Sequence, residues 1–230
     1  MSKTKNESKD DELIVDVEEV YSKTEDFINE NQNAIIGVVG AIIAVVVGFY
    51  AYNRVYLEPL EQEAHGQMFM AEQYFEKDSF ELALLGDGNY LGFEDIADEY
   101  SKTSAGNLSH YYAGICYLRT GQFEEAISQL EEFEGAGQIL EPIALGAIGD
   151  AYAELADFDE ALRYYEKAVE SNENDFTSPI FLQKAGLAAE KAGNFDKAID
   201  YYTQVKEKYP LTNEGRNAAK YIARSEANLY

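Results

Sequence analysis

Gly114-Ile-Cys-Tyr117, then Gly121-Gln-Phe123, then Ala126: this stretch decides the fold, because its residue types return twice further along the chain. Gly149-Asp-Ala-Tyr152 is followed by Phe158 and Ala161, and Gly186-Leu-Ala-Ala189 by Gly193-Asn-Phe195 and Ala198. The lead glycines stand 35 and 37 residues apart. A fixed period in this range marks a solenoid, whose units bury their apolar faces only by stacking on neighbours.

The offsets resemble those of the tetratricopeptide repeat, in which each unit of about 34 residues is two antiparallel helices, A and B. That resemblance implies a role for each repeated residue. Gly114, Gly149 and Gly186 sit where helix A meets helix B, and a larger side chain would hold the two apart. Tyr117 and Tyr152 pack into the seam, and Phe123, Phe158 and Phe195 plug the start of helix B. Ala126, Ala161 and Ala198 allow close helix approach, with Tyr165 and Tyr202 packing further along. Pro210 falls where helix B should stop, since proline has no N–H to donate. Such repeats hold many different partners, so the fold alone names no function.

Upstream, no charge occurs between Glu30 and Arg54, and Ala34–Tyr52 is 19 residues of apolar, glycine and tyrosine. As a helix it would be about 28 Å long, close to the hydrocarbon thickness of a bilayer. Tyr50, Tyr52 and Tyr56 cluster at one end as interfacial aromatics do, with Arg54 able to snorkel beside them. Globular core helices rarely run this long without a polar face. The acidic leading segment and the absence of an A-x-A site argue against a cleaved signal peptide. The expected fold is therefore all-α: an N-terminal transmembrane helix followed by an α-solenoid. Gly40, Ala44 and Gly48 form a small-xxx-small row along that helix, with Gly37 and Ala41 as a second pair. Such rows allow transmembrane backbones to approach closely, so the anchor is a candidate for helix pairing and homo-oligomer formation.

The net charge of −25 divides unevenly: Met1–Asn33 carries 4 Lys against 10 acids, and the region after Arg54 has 13 basic against 33 acidic residues. An acidic surface repels phosphate backbones, which argues against nucleic-acid partners and against lying flat on anionic lipid. The single cysteine, Cys116, cannot form an internal disulfide and reads as a small buried apolar residue.

Five segments follow: an acidic tail (1–33), the anchor (34–56), a degenerate leading repeat (57–106), three repeats (107–212) and a capping helix (213–230). In the tail, Ile14, Val17, Tyr21 and Ile28 recur at helical spacing, predicting an amphipathic helix over Asp11–Asn29 that rests on the membrane or on this chain, or docks on a partner. Pro59 can kink the chain beyond the anchor. The leading repeat is expected as helices near 61–77 and 90–101 with a short piece at 79–85.

Nothing points to catalysis, a cofactor or a metal. His65 and His110 are far apart without partners at ligand spacing, and no P-loop glycine pattern occurs. The Asp87-Gly-Asn89 loop resembles a calcium loop only faintly, lacking its closing glutamate, and reads as a turn. Arg216, Lys220 and Arg224 form a basic stripe on the last helix, read first as neutralising the neighbouring repeat and second as a partner contact.

In tetratricopeptide domains the inner groove is lined by helix A. Carried onto this chain, the lining positions are Leu108, Tyr111, Ile115 and Leu118, then Ile143, Gly146, Asp150 and Ala153, then Ile180, Gln183, Leu187 and Glu190. The Lys and Asn positions that chaperone adaptors use to clamp a terminal carboxylate are missing. The lining suits a hydrophobic or basic partner segment, or else part of it packs on the chain's own first or last helix.

The order of tail, anchor and repeat domain resembles the YfgM-like family, described as ancillary subunits of the SecYEG translocon. The run from Tyr74 to Ile127 looks like the Bacteroidota branch of such proteins. This resemblance implies a single-pass protein of the bacterial inner membrane with a periplasmic repeat domain. It would contact Sec translocon subunits, periplasmic chaperones or client chains. A structural organiser of cell division or outer-membrane assembly is the alternative. Lys23 on one side of the anchor and Arg54 on the other leave the charge rule tied, so orientation follows from the resemblance alone.

Overall fold

The computed structural model describes residues 23–25, 27–135 and 139–229, all helices and connections with no strand among them. Most of the predicted tail helix lies outside the described residues; of it, residues 23–25 and 27–29 are helical. The chain divides into two compact units, Met1–Tyr56 and Leu57–Tyr230.

The first unit is dominated by α1, Gln32–Tyr52, in which no residue is buried. Branched and aromatic side chains from Ile36 to Tyr50 all face outward, around the whole circumference. A Cβ added at Gly37, Gly40 or Gly48 would meet nothing within 4 Å. Among the described residues this is the helix long and apolar enough to cross a membrane. A π-helical turn, Asn53–Leu57, follows it. Pro59 lies just beyond and has no N–H for the Val55 carbonyl, so the α-helical ladder loses a rung there and the turn widens.

The second unit begins with α2 (Glu58–Phe75), α3 (Phe80–Leu85) and α4 (Phe93–Glu99). The last starts three residues later than the sequence suggests. Asp87 Oδ1 accepts from the Asn89 and Tyr90 N–H groups at 2.9 Å each, tying those residues into a turn. Tyr74 donates to the other carboxylate oxygen at 2.8 Å. Three helical hairpins follow: α5 (Ser104–Thr120) with α6 (Phe123–Glu132), α7 (Leu140–Glu154) with α8 (Phe158–Ser171), and α9 (Ser178–Lys191) with α10 (Phe195–Lys208). Then α11 (Asn213–Glu226) covers the last hairpin.

Local chemistry sets these ends. Thr103 Oγ1 accepts from the Gly106 N–H at 2.9 Å, and Glu61 of α2 accepts from Ser104 and Ala105 at 2.7 and 3.1 Å. Four orphan donors open any helix, and a carboxylate there also meets the positive end of the dipole. Asp157, Asn194 and Thr212 cap α8, α10 and α11 in the same way. The turn between helices A and B needs a left-handed residue. Gly121 and Gly193 supply it at φ 80° and 77°, but the second hairpin uses Ala156 at φ 59°.

Each seam glycine lies under helix B of its own hairpin. An added Cβ at Gly114 would come within 2.5 Å of Leu130, at Gly149 within 2.6 Å of Tyr165, and at Gly186 within 2.4 Å of Tyr202. Ala126, Ala161 and Ala198 are fully buried beside them. Cys116 is buried too, and loss of water pushes its thiol up to about 12.

Polar rungs join successive repeats at the repeat period. Tyr164 donates to Glu131 at 2.5 Å across 33 residues, and Tyr201 to Glu166 across 35. Lys208 reaches Glu173 at 2.7 Å across 35. Arg224 of α11 pairs with Glu190 of α9 across 34 residues, so this member of the basic stripe neutralises the neighbouring repeat. Arg216 instead bonds back to Leu211 and Asn213 at the start of its own helix.

Candidate functional site

A concave groove of about 1120 Å³ runs over the A helices of the three hairpins. Tyr111, Ile115 and Leu118 of α5, Ile143 of α7, and Ile180 and Leu187 of α9 make its apolar walls. All six are half-buried, so they keep surface available to a ligand. Their convergence follows from helical geometry: spacings of three and four residues place side chains on one face, and stacking the hairpins aligns the faces.

Four positions carried over from the repeat pattern do not line it. Leu108 packs against the core. Gly146 is buried under Phe181, whose ring would lie 1.9 Å from an added Cβ, so it serves contact between repeats. Glu190 is turned to α11 by its bonds to Arg224 and Ser225. Gln183 is also off the groove wall, and its successor Lys184 takes the place facing the groove.

Lys184 changes the electrostatics of the site. Its Nζ reaches both Asp150 oxygens, at 2.6 and 2.7 Å, and Tyr165 donates to Asp150 at 2.8 Å. The Tyr165 hydroxyl is shifted upward, first by burial and then by the adjacent Asp150 charge. Asp150 is thus held in place and its charge balanced, and it offers little to a basic ligand. The pair is polar and about one-third exposed on each side, in the middle of an otherwise apolar floor. Phe75 of α2 closes one end, edge-on to Tyr112 at 5.1 Å, so the leading repeat does pack at the groove's margin. Phe176, 67% exposed, stands at the third hairpin. Lys184 lies two residues before a seam glycine, a position the lining pattern does not include; its offset from Asp150, one repeat, is the signal that could have found it.

Among the described residues the groove offers contact surface and no reactive constellation. Its lining contains neither histidine nor cysteine. His65 sits 3.1 Å from Glu61, and His110 Nδ1 lies 2.8 Å from Gln129, each in a structural contact away from the groove. Among the described residues no cluster of His, Cys, Asp and Glu could hold a metal ion.

Residues 62–220 match the family described as "T7SS, ESX-1 secretion system protein EccA1, N-terminal domain". The chain belongs to that family. The EccA1 N-terminal domain match contains every groove residue from Phe75 to Lys191 and leaves out α1. Its description differs from that of the YfgM-like family, which the order of elements resembles. Two solved structures of the kinesin light chain nearly identical TPR-like repeats from Podosopora anserina are similar in fold, one of them a point variant of the other. Each is 15% identical with a TM-score of 0.57, covering 74% of this chain and 87% and 88% of theirs. No curated protein matches the sequence. The second unit is therefore an all-helical TPR-like solenoid.

Proposed function

We propose that this protein is a membrane-anchored scaffold whose groove holds an apolar segment of another protein at a secretion or envelope-biogenesis machine. The observation that carries the reading is the groove itself: six half-buried apolar side chains on three stacked A helices, with the Asp150 carboxylate of the floor balanced by Lys184. Peptides that insert apolar side chains into such a concavity gain roughly 25 cal/mol per Å² of apolar surface removed from water. The secretion-system description of the matching family supports the setting. In this reading α1 crosses a bacterial inner membrane once, because an apolar helix exposed on every side needs a solvent as apolar as itself. The solenoid lies on the periplasmic side. Partners are Sec translocon subunits, periplasmic chaperones or client chains. Gly40, Ala44 and Gly48 give α1 a face for close helix packing.

The test is recovery of crosslinked partners from membranes in mild detergent, comparing the wild type with a Tyr111→Ala, Ile115→Asp double variant. Capture should fall about tenfold or more, the equivalent of 1.4 kcal/mol, while helical circular dichroism is retained. Unchanged recovery by the folded variant sinks the groove reading. Channel subunits among the partners support the translocon setting, and their absence beside recovered cell-division or outer-membrane assembly proteins overturns it. Topology is checked by thiol labelling of single introduced cysteines with Cys116 replaced: in spheroplasts a cysteine near Asn213 should react with an impermeant reagent and one in the tail should not.

A further inference from the structure

The rim of the groove carries a pattern that its floor does not. Five residues beyond the seam glycines Gly114, Gly149 and Gly186 stand Arg119, Glu154 and Lys191. All three line the groove, in the last turns of α5, α7 and α9, so equivalent sites on successive repeats read positive, negative, positive. All three are exposed, and among the described residues none makes a side-chain hydrogen bond or ion pair. Helix stability explains only part of this. A cation at a helix C-terminus is favoured by the dipole, which accounts for Arg119 and Lys191. Glu154 places a carboxylate at that same negative end, where the dipole opposes it. Composition does not explain the cations either, since the chain has 43 acidic and 18 basic residues.

We propose that the rim reads a partner segment whose charges run acidic, basic, acidic while its apolar residues lie on the floor. The inference rests on the groove being the partner site. A segment laid across the three A helices meets the rim charges in turn, so its complementary charges alternate along its length. Lys184 adds no net charge to this reading, because Asp150 balances it.

The test is selection of random phage-displayed dodecapeptides on the full chain in detergent micelles. The wild type should enrich apolar peptides with Asp or Glu on either side of Lys or Arg. The inverted variant R119E/E154K/K191E should enrich the opposite order, and should bind the wild-type consensus peptide at least about tenfold more weakly. An apolar consensus without charge order, or the same order from both proteins, overturns the rim proposal and leaves the groove reading standing. A consensus that binds equally well to Ile115→Asp overturns the groove reading itself, and no consensus from the wild type overturns both.

Discussion

Glycine sits inside helices in both units of this chain, and it means opposite things in them. In α1, a methyl group added at Gly40 or Gly48 would meet open space. In the solenoid, one added at Gly186 would collide with the Tyr202 ring at 2.4 Å. In the solenoid the glycine is required by contacts within the chain. In α1 no contact among the described residues requires it, so any constraint comes from elsewhere, such as another helix or lipid. The same residue is a core device in one unit and a surface feature in the other.

The largest way to break that comparison is to put one substitution in both places. Gly186→Val should cost about 3 kcal/mol, because overpacking an already filled seam forces off-rotamer side chains or backbone shifts. Gly40→Val should leave the solenoid's thermal unfolding in detergent unchanged. Equal melting temperatures for the two variants would deny that the seam is filled.

A second effect belongs to the solenoid alone. Burial, reinforced by neighbouring carboxylates, raises the tyrosines of the inter-repeat rungs, Tyr164 to about 12 and Tyr201 also upward, and Tyr165 within the second hairpin is shifted the same way. A raised tyrosine contributes stability that is fully present below its unfolded value near 10 and is lost as pH rises through the folded value. The denaturant midpoint should therefore hold steady up to about pH 10 and fall progressively above it. Tyr164→Phe should flatten that fall. A midpoint independent of pH from 9 to 12 would contradict the burial of these hydroxyls.

The next prediction sharpens the reading of α1. If Gly40, Ala44 and Gly48 form a packing face, Gly40→Ile should reduce self- or partner-crosslinking several-fold, on the order of 1 kcal/mol. Ile42→Phe, on the opposite face, should do less, and both should insert normally. Identical yields would make α1 a tether and nothing more.

The smallest effect concerns a place where glycine is missing. Ala156 adopts φ 59° at the turn where the other two hairpins use Gly121 and Gly193. Ala156→Gly should stabilise the solenoid by about 0.5–1 kcal/mol, since the relief of left-handed strain outweighs the entropy a glycine adds to the unfolded chain. A loss of stability would show that the alanine methyl packs favourably enough to offset the strain.

Much of the architecture was legible before any coordinates. Period, seam glycines and aromatic plugs are local or one repeat apart, and a repeat prints the same local solution several times. The groove walls at Tyr111, Ile115, Leu118, Ile143, Ile180 and Leu187 follow from helical spacing once the hairpins stack. Gly146 and Glu190 escaped the same logic. Each sits at a lining position by register, yet is claimed by a neighbour, Phe181 or Arg224, that lies 35 or 34 residues away.

Sequence by itself determined the helical period, the apolar stretch of α1 and the unusual acidity, because each is a property of nearest neighbours or of composition. Only the tertiary structure decided that Lys184 would balance Asp150 on the groove floor, that Glu190 would turn to α11, and that Arg119, Glu154 and Lys191 would share one rim. Those outcomes depend on how one hairpin is rotated against the next. That rotation is set by the summed packing of buried alanines, tyrosines and glycines across the seams, and no single window of sequence contains it.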